Sequence, residues 1–170
     1  MSGSACFTVY RVNNAVLAIM PYPDLKSRRP DSVSTIAESG FNLMVSLLTE
    51  AEVDALELTD QPRVLYDHGM EFWSYPISDF GVPSSDQAFA ELVHQIWQKL
   101  NQGQNVVLHC RGGVGRSGLT AAAVRMIAGD SPEKACAEIS KVRGCRVPET
   151  EMQRQWLISA AENKLFGSEF

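Results

Sequence analysis

Val106-Val107-Leu108-His109-Cys110-Arg111-Gly112-Gly113-Val114-Gly115-Arg116-Ser117-Gly118 decides how this chain is read. The apolar run at its front predicts a buried strand. The alanine-rich stretch behind it, Leu119 to Ile127, predicts a helix. Between them lies a glycine-rich turn. A turn of this kind can aim several backbone N–H groups into one concavity, to which the helix adds its positive end. Cys110 stands at the mouth of that anion cradle and Arg116 at its far rim.

The chemistry follows from the residue types. Only an anionic sulfur attacks well, and a helix N-terminus, converging amides and a guanidinium all favour one at Cys110. Arg116 can grip two phosphate oxygens and follow them as phosphorus becomes trigonal bipyramidal. Gly112, Gly113 and Gly115, with Val114 among them, let the backbone curl around the anion. The Ser117 hydroxyl can donate to the sulfur when it leaves a phosphocysteine. His109 is expected to hold the loop backbone, and Arg111 to point outward. A Walker-type phosphate loop is excluded, because no Gly-Lys-Ser/Thr follows the glycines.

A phosphate monoester also needs a proton for its leaving oxygen. Asp79 is the candidate acid, on Ser78-Asp79-Phe80-Gly81-Val82-Pro83-Ser84, a loop that could swing over the pocket. The same group would afterwards activate water. Asp86 is better used in a first helical turn, and Asp60 starts a helix.

The remainder reads as alternating strands and short helices in one domain, residues 1–170. Residues 6–12 and 15–20 are expected to form a hairpin through Asn13-Asn14, and residues 41–48 and 71–77 to form further strands. Helices are expected after Ser32, after Thr49 with Glu52 closing a capping box, over 61–68, and after Ser84 with Gln87 closing another. Further helices follow: one to about Ala128, one capped by Ser131 with Ala135, Ile139 and Val142 inward, and one over 149–164 with Met152, Trp156, Leu157 and Ala160 inward. Gly167 to Phe170 reads as frayed. This alternation predicts an α/β fold with a twisted, mostly parallel central sheet flanked by helices. Such folds bind ligands at the carboxyl ends of their strands, where the Cys110 loop lies.

Composition narrows the partners. A net charge of -5 argues against nucleic acid or an acidic membrane, and no apolar run approaches a membrane span. The N-terminus shows no signal-peptide pattern, so a cytoplasmic placement is expected, or a nuclear one in a eukaryote. Cys6, Cys110, Cys136 and Cys145 are too few and too far apart for a disulfide scaffold or a metal knuckle, so no metal or cofactor is expected. Cys6 and Cys136 read as core residues and Cys145 as a loop thiol. Asp24, Lys26, Arg28 and Arg29 form a charged loop, either a solvated run or a rim that touches a phosphorylated partner.

His109-Cys110, five residues, then Arg116-Ser117 resembles the signature of the cysteine-dependent protein tyrosine phosphatase superfamily. The resemblance runs from about residue 20 to 160 and points to the compact dual-specificity branch, including kinase-associated phosphatases. It implies a dual-specificity-phosphatase-like fold and Cys110 as nucleophile. It implies phosphate held by the amides of Arg111 to Arg116 and by the Arg116 side chain. It also implies Ser117 aiding thiolate departure and Asp79 as general acid. Glu149 and Gln153 lie where tyrosine phosphatases carry two water-positioning glutamines. Gln153 matches the second and Glu149 departs from the first. The expected substrate is a phosphorylated protein or peptide, at tyrosine and, since no long tyrosine-recognition loop is seen, also at serine or threonine; a monomer is expected, although the sequence does not identify the oligomeric state. Lipid, small-molecule or RNA 5′-phosphatases on the same loop are rival readings, as is a phosphopeptide-binding domain. Lysines typical of phosphoinositide enzymes are missing from the loop.

Overall fold

The computed structural model describes residues 6–26 and 31–167. Arg28, Arg29 and the end of the frayed tail, residues 168–170, lie outside the described residues. Five strands form one sheet: β1 (Phe7–Val12), β2 (Ala15–Met20), β3 (Leu43–Ser46), β4 (Glu71–Ser74) and β5 (Val106–His109), in the order β1-β2-β5-β3-β4. The β1–β2 hairpin is antiparallel, turning through Asn13 at φ +52°, and every other pairing is parallel. All residues of β3 and β5 are buried, as expected of central parallel strands covered on both faces.

Strand alternation divides the core. Leu17, Ile19, Leu43, Val45, Val106 and Leu108 pack on one face, Ala18, Met20, Met44 and Val107 on the other. The first face is covered by α4 (Asp86–Asn101), α5 (Arg116–Ile127), α6 (Pro132–Arg143) and α7 (Glu151–Glu162). The second is covered by α1 (Val33–Glu38) and α3 (Gln61–Asp67), through Val33, Ile36 and Leu65. Helix α2 (Glu50–Ala55) follows β3 directly, and its Thr49–Glu52 capping box forms as expected. Helix α5 is buried from Arg116 to Arg125, which places the start of the Cys110 loop's helix in the middle of the molecule.

Four local expectations shift. Ser85, not Ser84, caps α4: its hydroxyl accepts from Ala88 N, so Gln87 closes no box and instead donates to Glu91. In α6 Ala135 and Ile139 are buried as expected, but the inward stripe continues through Cys136, Ser140 and Arg143, about 100° per residue, which leaves Val142 45% exposed. Helix α7 begins at Glu151 behind a Thr150–Gln153 capping box. Its inward stripe then holds Gln153, Leu157 and Ala160, and Met152 is exposed.

Candidate active site

Strand β5 ends at His109 and α5 begins at Arg116, so Cys110 to Gly115 form the connecting loop. It sits at the carboxyl ends of the parallel strands, with the Cys110 side chain buried. Gly113 adopts φ +67°, and a Cβ there would lie 2.3 Å from the Met20 carbonyl carbon. The loop therefore rests directly on the end of β2, and only glycine fits. Arg111 is exposed, and its carbonyl accepts from Tyr22 N at 3.4 Å.

His109 is fully buried. The Gln61 amide, from the start of α3, approaches His109 Nε2 at 2.8 Å and also lies on Met44 Sδ. Gln61 donating to Nε2 leaves the proton on Nδ1, which faces the Cys110 carbonyl at 3.3 Å. Burial pushes the imidazole pKa down to about 4, opposed by the Cys110 carbonyl and assisted by the Arg116 charge. The ring is a neutral strut between Gln61 and the Cys110 carbonyl.

Arg116 is 1% exposed, and its guanidinium is densely bonded. Glu52 holds it through two parallel bonds, Nη1 to Oε2 at 2.7 Å and Nη2 to Oε1 at 2.8 Å. Nη1 also donates to the Ile77 carbonyl at 2.9 Å. The Glu52 carboxyl is drawn down to about 2, chiefly by the Arg116 bond, against its own burial. Burial works against the charged form of Arg116, but Glu52, Cys110 and Asp79 outweigh it and raise its pKa.

Asp79 reaches the same guanidinium: Nη2 donates to Oδ1 at 3.0 Å. Its loop turns tightly, with Gly81 N on the Ser78 carbonyl at 2.8 Å, and Phe80 N donates to Asp79 Oδ1 at 3.1 Å. Phe80 lies in the left-handed region at φ +58° and is 54% exposed. Gln153 Nε2 donates to the Gly81 carbonyl at 3.0 Å, tying α7 to this loop. Glu149 and Gln153 both reach the phosphate loop: Glu149 Oε2 stands 3.1 Å and Gln153 Nε2 3.2 Å from where a Gly115 Cβ would be. Ser117 Oγ is buried with no hydrogen-bond partner among the described residues, so its donor is unspent.

The fold thus gathers Cys110, Arg116, Ser117, Asp79, His109 and Gln153 around one loop. Gln153 is wholly buried, unlike an ordinary helix-surface glutamine. Lys26 stays exposed and pairs with Glu57. Cys145 is exposed, Cys136 buried and Cys6 half-buried, with burial pushing the Cys6 thiol up to about 11. Sequence reasoning missed Glu52 as a partner of Arg116, because its capping role already explained it. It missed Gln61 and Arg143, which carry no motif. Among the described residues no group of three His, Cys, Asp or Glu side chains could hold a metal. No described helix is long and apolar enough to cross a membrane.

Comparison with known proteins agrees with this geometry. The chain is 32% identical over 127 residues to the candidate tyrosine phosphatase 067L of Invertebrate iridescent virus 3. It is 30% identical over 138 residues to cyclin-dependent kinase inhibitor 3 of Homo sapiens. These alignments take in 68% and 80% of the chain, which spans 53% and 65% of the relatives' own lengths. Kinase-associated phosphatase, crystallised with its catalytic-site cysteine replaced by serine, shares the fold at a TM-score of 0.78 and 23% identity, covering 97% of this chain and 96% of that one. Tk-PTP in its active form superposes at 0.73 with 25% identity, covering 94% and 97%. The family model described as "Polymorphic toxin system, DSP-PTPase phosphatase" matches residues 20–130, from the end of β2 through α5. The chain belongs to that family, within the superfamily of cysteine-dependent tyrosine and dual-specificity phosphatases.

Proposed function

We propose that this chain hydrolyses phosphate monoesters on protein tyrosine, and on serine or threonine, through a phosphocysteine intermediate. The observation that carries the reading is the 3.0 Å contact between Asp79, on its own loop, and Arg116 of the phosphate loop. It joins a proton donor to an anion cradle that holds a sulfur nucleophile.

Cys110 Sγ attacks phosphorus while the loop amides and Arg116 hold the equatorial oxygens. With Glu52 occupying one edge of the guanidinium, phosphate is gripped through Nε and the Nη2 hydrogen now given to Asp79. Phosphate therefore releases Asp79, whose acid form protonates the leaving oxygen as the P–O bond breaks. Water then attacks the phosphocysteine and Asp79 takes its proton. The P–S bond breaks with the electron pair on sulfur, and the unpaired Ser117 hydroxyl stabilises the thiolate. The exposed Phe80 ring beside Asp79 offers an aromatic face to a phosphotyrosine ring, which supports the tyrosine activity. A cleft of about 380 Å³ starts at Tyr22, beside Arg111, and runs to Leu56 and Leu58; it gives a flanking peptide somewhere to lie.

Matched phosphotyrosine and phosphothreonine peptides, with an inositol phosphate and a 5′-triphosphate RNA as comparators, test the assignment. Cys110→Ser abolishes turnover, and Asp79→Asn lowers kcat by roughly 10²–10⁴, most for poor leaving groups. Full activity of the Cys110 variant would sink the mechanism. Preference for the inositol phosphate or the RNA would overturn the protein substrate.

A further inference from the structure

The outer side of the phosphate loop is taken up, carbonyl by carbonyl, by donors that are not part of it. His109 Nδ1 faces the Cys110 carbonyl, and Tyr22 N donates to Arg111. Arg143 then takes the next two alone: Nη2 donates to the Gly112 carbonyl at 3.0 Å and Nε to the Gly113 carbonyl at 3.2 Å. Arg143 is the last residue of α6, and Gly144 behind it stops the helix in the left-handed conformation. Its guanidinium lies 4.1 Å from the Phe7 ring centroid, so an aromatic face on β1 supports it from outside.

We propose that Arg143 is a positioning residue that presets the phosphate loop for its anion; the inference rests on the phosphatase reading above. In a planar trans peptide the C=O and the following N–H point in opposite directions. Fixing the Gly112 and Gly113 carbonyls outward therefore aims the Gly113 and Val114 amides inward. These are the peptides most free to flip, because glycine restricts neither φ nor ψ. One side of Gly113 is wedged against Met20, and Arg143 restrains the other. Without it the loop must spend part of its anion-binding energy on ordering itself.

The test is calorimetric binding of tungstate, a phosphate mimic, alongside a ligand-free thermal melt. Arg143→Ala is expected to weaken tungstate about 10- to 100-fold at temperatures where it is fully folded. Arg143→Lys keeps the charge but replaces the two-nitrogen fork with a single donor nitrogen, and recovers part of that loss. Phe7→Leu removes the supporting ring and gives a smaller loss of the same sign. Arg146→Ala, whose side chain pairs with Glu151 on the surface, stays within twofold of wild type. If Arg143→Ala does not fold, the Lys and Phe7 variants carry the test. Tungstate affinity within twofold of wild type in the folded Arg143 variants overturns the proposal, even if their melting temperatures fall. Wild-type turnover of a phosphotyrosine peptide is measured separately. A wild type that binds tungstate without turnover overturns the phosphatase reading and leaves the positioning role measurable. A wild type that binds no tungstate overturns both.

Discussion

Glu52 serves two structures at once. Its Oε2 accepts from Thr49 N and Thr49 Oγ1 to close the cap of α2, and from Arg116 Nη1 at 2.7 Å. Removing the charge leaves the buried guanidinium with only the partly exposed Asp79 as counter-ion, so Glu52→Gln is expected to cost about 3 kcal/mol at neutral pH. Because the folded Glu52 titrates near 2 rather than 4.5, its contribution is present above 4.5 and lost as pH falls towards 2. His109 acts in the window just above. The unfolded imidazole takes up a proton near 6.5 while the buried one resists to about 4, so stability falls as pH drops between those values. Denaturant titrations across pH check both: Glu52→Gln flattens the lower slope and His109→Asn the upper one. A wild-type profile that is flat from 6.5 to 4 would contradict the buried neutral histidine.

Between the residue and the molecule stand the elements, and α5 is the one with least room. Gly118, in its first turn, faces the chain between α6 and α7: a Cβ there would lie 2.1 Å from Val147 Cγ1. Gly118→Ala is expected to destabilise by about 1–3 kcal/mol through overpacking. Val147→Ala in the same chain should return part of that loss, a coupling that a double-mutant cycle in denaturant measures. Additive effects would mean the two do not compete for space. Elements were also where the sequence was most readable. The Thr49 cap, the Ser131 cap with Pro132, the alternation of β1 and the apolar run of β5 follow from rules acting over a few residues. Ser84 against Ser85 could not be separated that way, because both precede the same apolar stripe and only the chain's direction into α4 chooses between them.

At the scale of the whole molecule, the strand order does the assembling. Placing β5 between β2 and β3 sets the Cys110 loop beside Met20 on one side and beside the β3–α2 connection on the other. Helix α7 then closes over the Asp79 loop through Gln153. Gln153→Ala removes the bond to the Gly81 carbonyl and lets that loop drift. The expected loss is about 10-fold in kcat on phenyl phosphate and less on p-nitrophenyl phosphate, whose leaving group needs little protonation. Equal losses on the two would place Gln153 outside the positioning of the acid.

The sequence by itself determined the glycine-rich loop between β5 and α5, with Cys110 and Arg116 at its two ends, and the alternation of strands and helices. Each is written in neighbouring residues, through periodicity, glycine placement and capping chemistry. Only the tertiary structure decided that Glu52 would hold Arg116, that Gln61 would set the His109 tautomer, and that Arg143 would grip the back of the loop. It also decided that Gln153 would be buried and Val142 exposed. These contacts join residues tens of positions apart. They depend on strand order and on how each helix is rotated against the sheet, which local sequence does not encode.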